Sequence, residues 1–391
     1  MSIFKGKPPG ETIIILLYFA LKPLYFGASG FLQISDVFLL LSLVYLLVKQ
    51  QGKIHFVGDN AEVIKIFIFM VAYQCLINVI WGIVTGDSEM NRHDLYYIFN
   101  FLAFAGVIHI GQRAGVDLIK RAIGLGSLIA TIITAIGLLL FSDAGSRGTG
   151  FFNNPNQLGY FAVIMLTVII LCKEQMHKLQ IVALFALSFW AVIASLSKAA
   201  IIAYFAEVVV LILFYQNNRS VKRLIAELAL IAVVGAGVYL LLFSNINWFS
   251  GNSTIFHMRQ RILYMSQEND SGLAYGRGYA RVAEILPNIV WGTGEGAYDR
   301  FNAMHGTEVH STYVSLLTCY GLVGFIGYLV IFIKCMGRGR AFLQSLAALF
   351  GLVLYAVTHN GIRNTLIWMI MALLLLSNEK ESDFHSNRII Q

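Results

Sequence analysis

The sequence predicts an all-α, polytopic membrane protein with about 12 transmembrane helices and one large periplasmic loop between helices 9 and 10. Three observations lead there. Of 391 residues, 58% are hydrophobic and 13% are charged, a balance foreign to soluble domains. Apolar runs of roughly 20 residues, enough to cross a bilayer as a helix, recur along the chain. The short alternating segments of a membrane β-barrel do not. Polar, aromatic and arginine-bearing residues collect in one stretch, 244–310.

Taken in order, the first run, 12–29, holds Lys22 and Pro23 and is the span expected to break or lie in the interface. The second, 31–49, stops at Lys49, and the third, 61–85, stops at Gly86-Asp87. The fourth, 95–111, runs up to Gln112-Arg113 and the fifth, 117–141, up to Ser142-Asp143. Pro155 and Asn156 precede the sixth, 157–172, proline as a turn former and Asn156 in place to cap the helix that follows. Only Ser197-Lys198 separates the seventh, 179–196, from the eighth, 199–215. The ninth, 221–243, leads into the polar stretch. His310 precedes the tenth, 311–333, and Arg338 and Arg340 precede the eleventh, 341–358. The twelfth, 362–376, gives way to a polar tail expected to be loosely ordered. The chain therefore divides into 1–243 with nine helices, 244–310 as the loop carrying the active site, 311–376 with three helices, and 377–391 as a cytoplasmic tail.

Lysine and arginine in short loops accumulate on the cytoplasmic side. Lys49 and Lys53, Arg113 with Lys120 and Arg121, Lys173 and Lys178, Arg219 with Lys222 and Arg223, and Lys334 with Arg338 and Arg340 define that side. The loops at 86–94, 142–156, 195–198, 244–310 and 359–364 then face out. These cytoplasmic clusters already account for most of the +7 net charge, so no nucleic-acid partner is implied. The outward basic residues run against the bias. They are Arg92, Arg147, Lys198, Arg259, Arg261, Arg277, Arg281, Arg300 and Arg363. Arginine grips phosphate oxygens in pairs, which suggests an anionic, phosphate-bearing ligand. Pairing with external acids or headgroups is the plainer reading of any single one. The cysteines lie in spans or at their edges, and the nine histidines have no metal-ligand spacing. No metal or cofactor is expected.

Three external segments carry chemistry. Residues 145–159, Gly-Ser-Arg-Gly-Thr-Gly-Phe-Phe-Asn-Asn-Pro-Asn-Gln-Leu-Gly, put Asn153, Asn154 and Asn156 in one turn, more amides than helix capping requires. Their donors and acceptors suit glycan hydroxyls. Ser195-Leu196-Ser197-Lys198 is a short link from which Lys198 faces the outside. Tyr275-Gly276-Arg277-Gly278-Tyr279-Ala280-Arg281 precedes a short surface helix and the glycine run Gly292-Thr293-Gly294-Glu295-Gly296. No strand precedes that run, so its likeness to a phosphate loop is superficial. His310 closes the polar stretch where loop meets bilayer, a place where an ionisable residue is a functional candidate.

Together these segments resemble the bacterial O-antigen ligase and O-antigen polymerase superfamily. His310-Ser311, nine residues, Gly321, two residues and Gly324 fit the family's His-[Asn/Ser/Gln]-x9-Gly-x-x-[Gly/Thr/Tyr] pattern. The Asn-Pro-Asn turn, the basic residue at the short link and the Gly-Arg motif follow in the family's order. One departure is Lys198, where the family commonly has arginine, so the charge is kept and the bidentate fork is lost. The resemblance spans 145–330. It implies metal-independent, inverting transfer of a glycan from an undecaprenyl-diphosphate donor, at the outer face of the bacterial inner membrane. The acceptor would be a sugar hydroxyl of a second lipid-linked glycan (polymerase) or of lipid A core (ligase). Membrane lipids, and a chain-length regulator, are the implied partners. His310 would be the general base, and Lys198, Arg277, Arg147 and Arg281 would meet the diphosphate. A transporter or flippase is the competing class. It should place charges along a membrane path, yet only Lys22, Lys65 and Glu207 fall inside spans while the polar residues gather on one side.

Overall fold

The computed structural model describes residues 10–27, 31–141, 147–214, 276–302 and 306–389. The expected ninth span, 221–243, lies outside the described residues, as does most of the large loop. The described regular structure is helical: α1 Thr12–Leu21, α2 Ile34–Lys49, α3 Gly58–Thr85, α4 Asp94–Ala114, α5 Val116–Phe141, α6 Pro155–Cys172, α7 Lys178–Ser195 and α8 Lys198–Phe214. After the undescribed stretch come a one-turn helix α9 Arg281–Glu284, then α10 Thr312–Met336, α11 Gly339–Tyr355 and α12 Thr365–Ile389. Eleven of the twelve expected runs thus coincide with helices α1 to α8 and α10 to α12. Among the described residues, six helices are long and apolar enough to cross a membrane, namely α3, α4 with its preceding 3₁₀ turn, α5, α6, α7 and α10. The segments Thr12–Leu21, Gly339–Tyr355 and Thr365–Asn378 are shorter apolar helices.

Two boundaries differ from expectation. The first run was expected over 12–29, but α1 ends at Leu21 because Pro23 cannot continue the hydrogen-bond ladder. Lys22 turns aside into a buried ion pair with Asp36 at 2.9 Å. At the other end, the backbone stays helical to Ile389, since no glycine or proline follows Asn364 to stop it.

Helices pack in pairs: α1 on α5, α6 on α7, α8 on α11, α4 on α12 and α3 on α10. Small residues set the close approaches, as in membrane bundles generally. A Cβ at Gly126 of α5 would meet the Leu16 carbonyl of α1. At the centre, Trp368 of α12 packs on Phe67 of α3 and on Phe332 and Tyr328 of α10, with ring centroids 4.6, 5.4 and 5.6 Å apart.

Helix α10 is broken. Gly321 sits at φ 64°, ψ −166°, which removes it from the helical ladder and leaves neighbouring backbone groups to find other partners. Residues 289–294 fill the gap. The amides of Thr293 and Gly294 donate to the carbonyls of Thr318 and Cys319 at 3.1 and 2.8 Å, and the amides of Leu322 and Val323 donate to those of Ile289 and Val290 at 2.8 and 3.2 Å. Tyr73 of α3 donates its hydroxyl to the carbonyls of Trp291 and Tyr320. Only glycines allow this approach, because a Cβ on Gly321 would meet the Val290 carbonyl and one on Gly292 the Cys319 carbonyl.

Candidate active site

A cavity of about 910 Å³ opens where one end of the bundle gathers. Its wall takes residues from the amino ends of α2, α4, α6 and α12, the carboxyl end of α11 and the segment leading into α10. The amino-terminal parts of α2 and α4 flank its apolar side with Leu40, Leu95, Ile98, Phe99 and Leu102. These helices meet further along, where a Cβ on Gly106 would strike Leu43. The result is a cleft with a polar back and apolar flanks.

His310 lines this cavity on the turn before α10, which Ser311 caps by accepting from the Val314 amide at 3.4 Å. Desolvation and the Arg277 guanidinium lower its imidazole below the ordinary histidine range, while Glu308 pulls the other way. The imidazole is therefore neutral, and basic, at neutral pH. His359, on the α11–α12 turn, lines the same cavity. Burial, Arg277, His310 and Arg147 push it down to about 3. Its ring stacks on Tyr355 at 4.4 Å and Tyr355 stacks on Tyr160 at 4.6 Å, so the imidazole is fixed in place.

Beside the histidines, Arg363 holds two acids. Its Nε donates to Glu295 at 2.8 Å, and its Nη1 and Nη2 lie 3.2 and 3.0 Å from the Glu308 oxygens. Glu295 is fully buried and also accepts from the Tyr320 hydroxyl at 2.7 Å. Arg363 and Tyr320 together hold its carboxyl below the usual range although burial opposes this. Because Glu295 belongs to the glycine run lodged in the α10 break, the break and the cavity are one construction. Arg300 clamps that run through the Thr293 carbonyl and lies over the Trp81 ring at 4.7 Å.

Residues 183–329 match the family model described as O-antigen ligase. That stretch is similar to O-antigen ligases. The resemblance read from the motif is thereby shown, and several apolar helices of membrane-spanning length accompany it. No curated protein matches the chain. The matched stretch contains Lys198, Arg277, Arg281, His310, Gly321 and Gly324; the asparagine turn precedes it, and His359 and Arg363 follow it.

Of the expected site residues, His310, Asn154 and Asn156 line the cavity. Arg147 donates from Nε to the Ser195 carbonyl at 3.1 Å and from Nη2 to Asn156 Oδ1 at 2.7 Å. It thereby staples the asparagine turn to the link that ends in Lys198. Asn154 caps α6 by accepting from the Gln157 amide at 2.9 Å, and Asn154 and Asn156 both line the cavity. Lys198 opens α8 directly after Ser197 and is not among the cavity-lining residues. Two residues go elsewhere. Asn153 is exposed and donates to the Gly27 carbonyl at 2.9 Å. Arg281 is 1% exposed, donates to the Thr307 carbonyl at 2.8 Å and lies against the Tyr298 and Phe301 rings. Its place is inside the loop, tying the start of α9 to Thr307.

Sequence reading missed Glu295, Glu308, His359, Asn360 and Arg363 as a group. Arg363 was visible as an outward arginine, but its two acids lie 68 and 55 residues away, and nothing local announces such pairings.

Proposed function

We propose that the protein transfers a glycan from an undecaprenyl-diphosphate donor to a sugar hydroxyl of a second lipid-linked glycan, as a polymerase working at the outer face of the inner membrane. The observation that carries this reading is that His310, Asn154 and Asn156 share one cavity whose other flank is apolar. A lipid-linked sugar needs that combination: hydrocarbon at one side, hydroxyl partners and a base at the other.

In the proposed reaction His310 accepts the proton of the attacking hydroxyl as the new bond forms at the anomeric carbon. The bond to the diphosphate breaks on the opposite face, giving inversion. Negative charge grows on the departing lipid diphosphate, and preplaced cations stabilise it without a metal. Arg277 acts electrostatically on His310 and His359, which puts a cation beside the reacting groups. Arg147 and Lys198 would complete the anion site on the α6–α8 side, Lys198 as a point charge.

The test is transfer by the purified full chain from undecaprenyl-diphosphate oligosaccharide, with chelator present and lipid A core absent. Longer lipid-linked glycans are the expected product. Products that form only when lipid A core is added would make the protein a ligase. His310→Ala should leave a folded protein whose transfer falls at least about 100-fold, the usual scale for losing a general base.

A further inference from the structure

Glu308 and His310 both line the cavity, while Val309 between them is buried. The Glu308 side chain is 33% exposed, so it is held without being covered. Its oxygens can be counted. Oε1 receives Asn360 Nδ2 at 3.0 Å and Arg363 Nη2 at 3.0 Å, and Oε2 receives Arg363 Nη1 at 3.2 Å. A carboxylate has about four lone-pair directions. Among the described residues, one direction on Oε2 has no partner, and it belongs to a group that faces the cavity beside the base. Asn360 cannot swing away to fill it, since its Nδ2 also donates to Ser315 Oγ at 3.1 Å.

We propose that Glu308 binds the acceptor sugar, taking a hydrogen bond from one of its hydroxyls on Oε2, and so selects a neutral, hydroxyl-bearing acceptor unit over a carboxylated one. This rests on the glycan transfer proposed above. A hydroxyl is the donor that a neutral sugar offers in quantity, and an ionised carboxylate is its strongest protein acceptor. Charge supplies the selectivity. One guanidinium, Arg363, serves two carboxylates, Glu295 and Glu308, so this three-residue cluster carries a net negative charge that disfavours a uronic acid against Glu308. The anionic diphosphate then belongs with the cations on the α6–α8 side, and the neutral acceptor with the acids of the α10–α12 side.

Glu308→Gln tests the idea, because Arg363 keeps Glu295 and the fold keeps its buried pair. The assay uses the full chain, an undecaprenyl-diphosphate glycan donor and lipid-linked acceptors ending in either a neutral hexose or a hexuronic acid. It is run above neutrality, where His310 is unprotonated in both proteins. The acceptor KM for the neutral unit should rise about tenfold or more, the scale of losing a charge-assisted hydrogen bond. At saturating acceptor, the fall in kcat should be smaller than the rise in KM. Glu308→Asp, which keeps the charge, should fall between the two, and the wild type should prefer the neutral acceptor. An unchanged KM overturns the proposal. So does a fall in kcat that matches or exceeds the rise in KM, which would assign Glu308 to holding His310. Equal use of both acceptors by the wild type also overturns it. A wild type inert towards authentic donor with every acceptor overturns the transfer reading along with it.

Discussion

His310 and His359 share a cavity but respond to pH in different ranges. His310 is lowered by desolvation and Arg277 and raised by Glu308; its neutral form is the one that can accept a proton. Activity should therefore persist as pH falls through the ordinary histidine range near 6.5 and be lost only below it. Arg277→Ala removes a lowering charge, so the acid limb of the pH–rate profile should move up, in addition to any fall in rate. A limb that stays in place would remove Arg277 from the neighbourhood of the base. His359, at about 3, remains neutral throughout any practical assay, so His359→Gln should change rate without moving that limb. Arg363 makes a stability prediction at the same scale. Arg363→Ala leaves the fully buried Glu295 without its charge partner, which should cost roughly 3–5 kcal/mol in thermal unfolding in detergent. Of this group the sequence made His310 legible, through a motif with fixed spacing. His359, Glu308 and Arg363 were legible only as outward polar residues, because what makes them a site is contact across three separate segments.

Helices were the most legible elements, since a bilayer demands long apolar runs and the chain supplies them. Where expectation slipped, the cause was a single residue or its absence: Pro23 ended α1 early, and the lack of any glycine or proline after Asn364 let α12 run on. The break in α10 was not legible at all. Gly321 reads in sequence like any small residue at a helix contact, and Gly292 to Gly296 reads like a turn. Their partnership appears only when the left-handed φ of Gly321 is seen against the carbonyl of Val290. Gly321→Ala should cost about 1–3 kcal/mol from backbone strain alone, with more from the clash, and should loosen the 289–294 segment. Thermal stability and proteolysis of the loop in detergent measure both. Full wild-type stability in that variant would mean that the break tolerates a side chain.

For the whole molecule, the cavity's apolar flank between α2 and α4 would give the lipid portion of the proposed donor a sideways route to the polar end. Leu102→Trp would narrow that route without touching the histidines. Transfer from a full-length polyprenyl donor should then fall about tenfold in kcat/KM, while a short-chain donor analogue is used as before; equal losses for both would mean the flank does not seat the chain. The helices behind this arrangement were legible from hydropathy, whereas the meeting of α2, α4, α6, α10, α11 and α12 at one cavity was not, because apolar periodicity says which face is buried but not against which neighbour. The interrupted α10 also bears on how the protein is made. Gly321 lies roughly 13 Å along the helix from Thr312, and hydrocarbon offers unpaired backbone groups nothing. A newly inserted α10 therefore has two choices: to stay continuous, or to break onto residues 289–294, which are synthesised just before it. Maturation would then include a late event that insertion alone does not accomplish, the seating of residues 289–294 into a helix already in the membrane, and a chain caught before that event would have its spans in place and no assembled site.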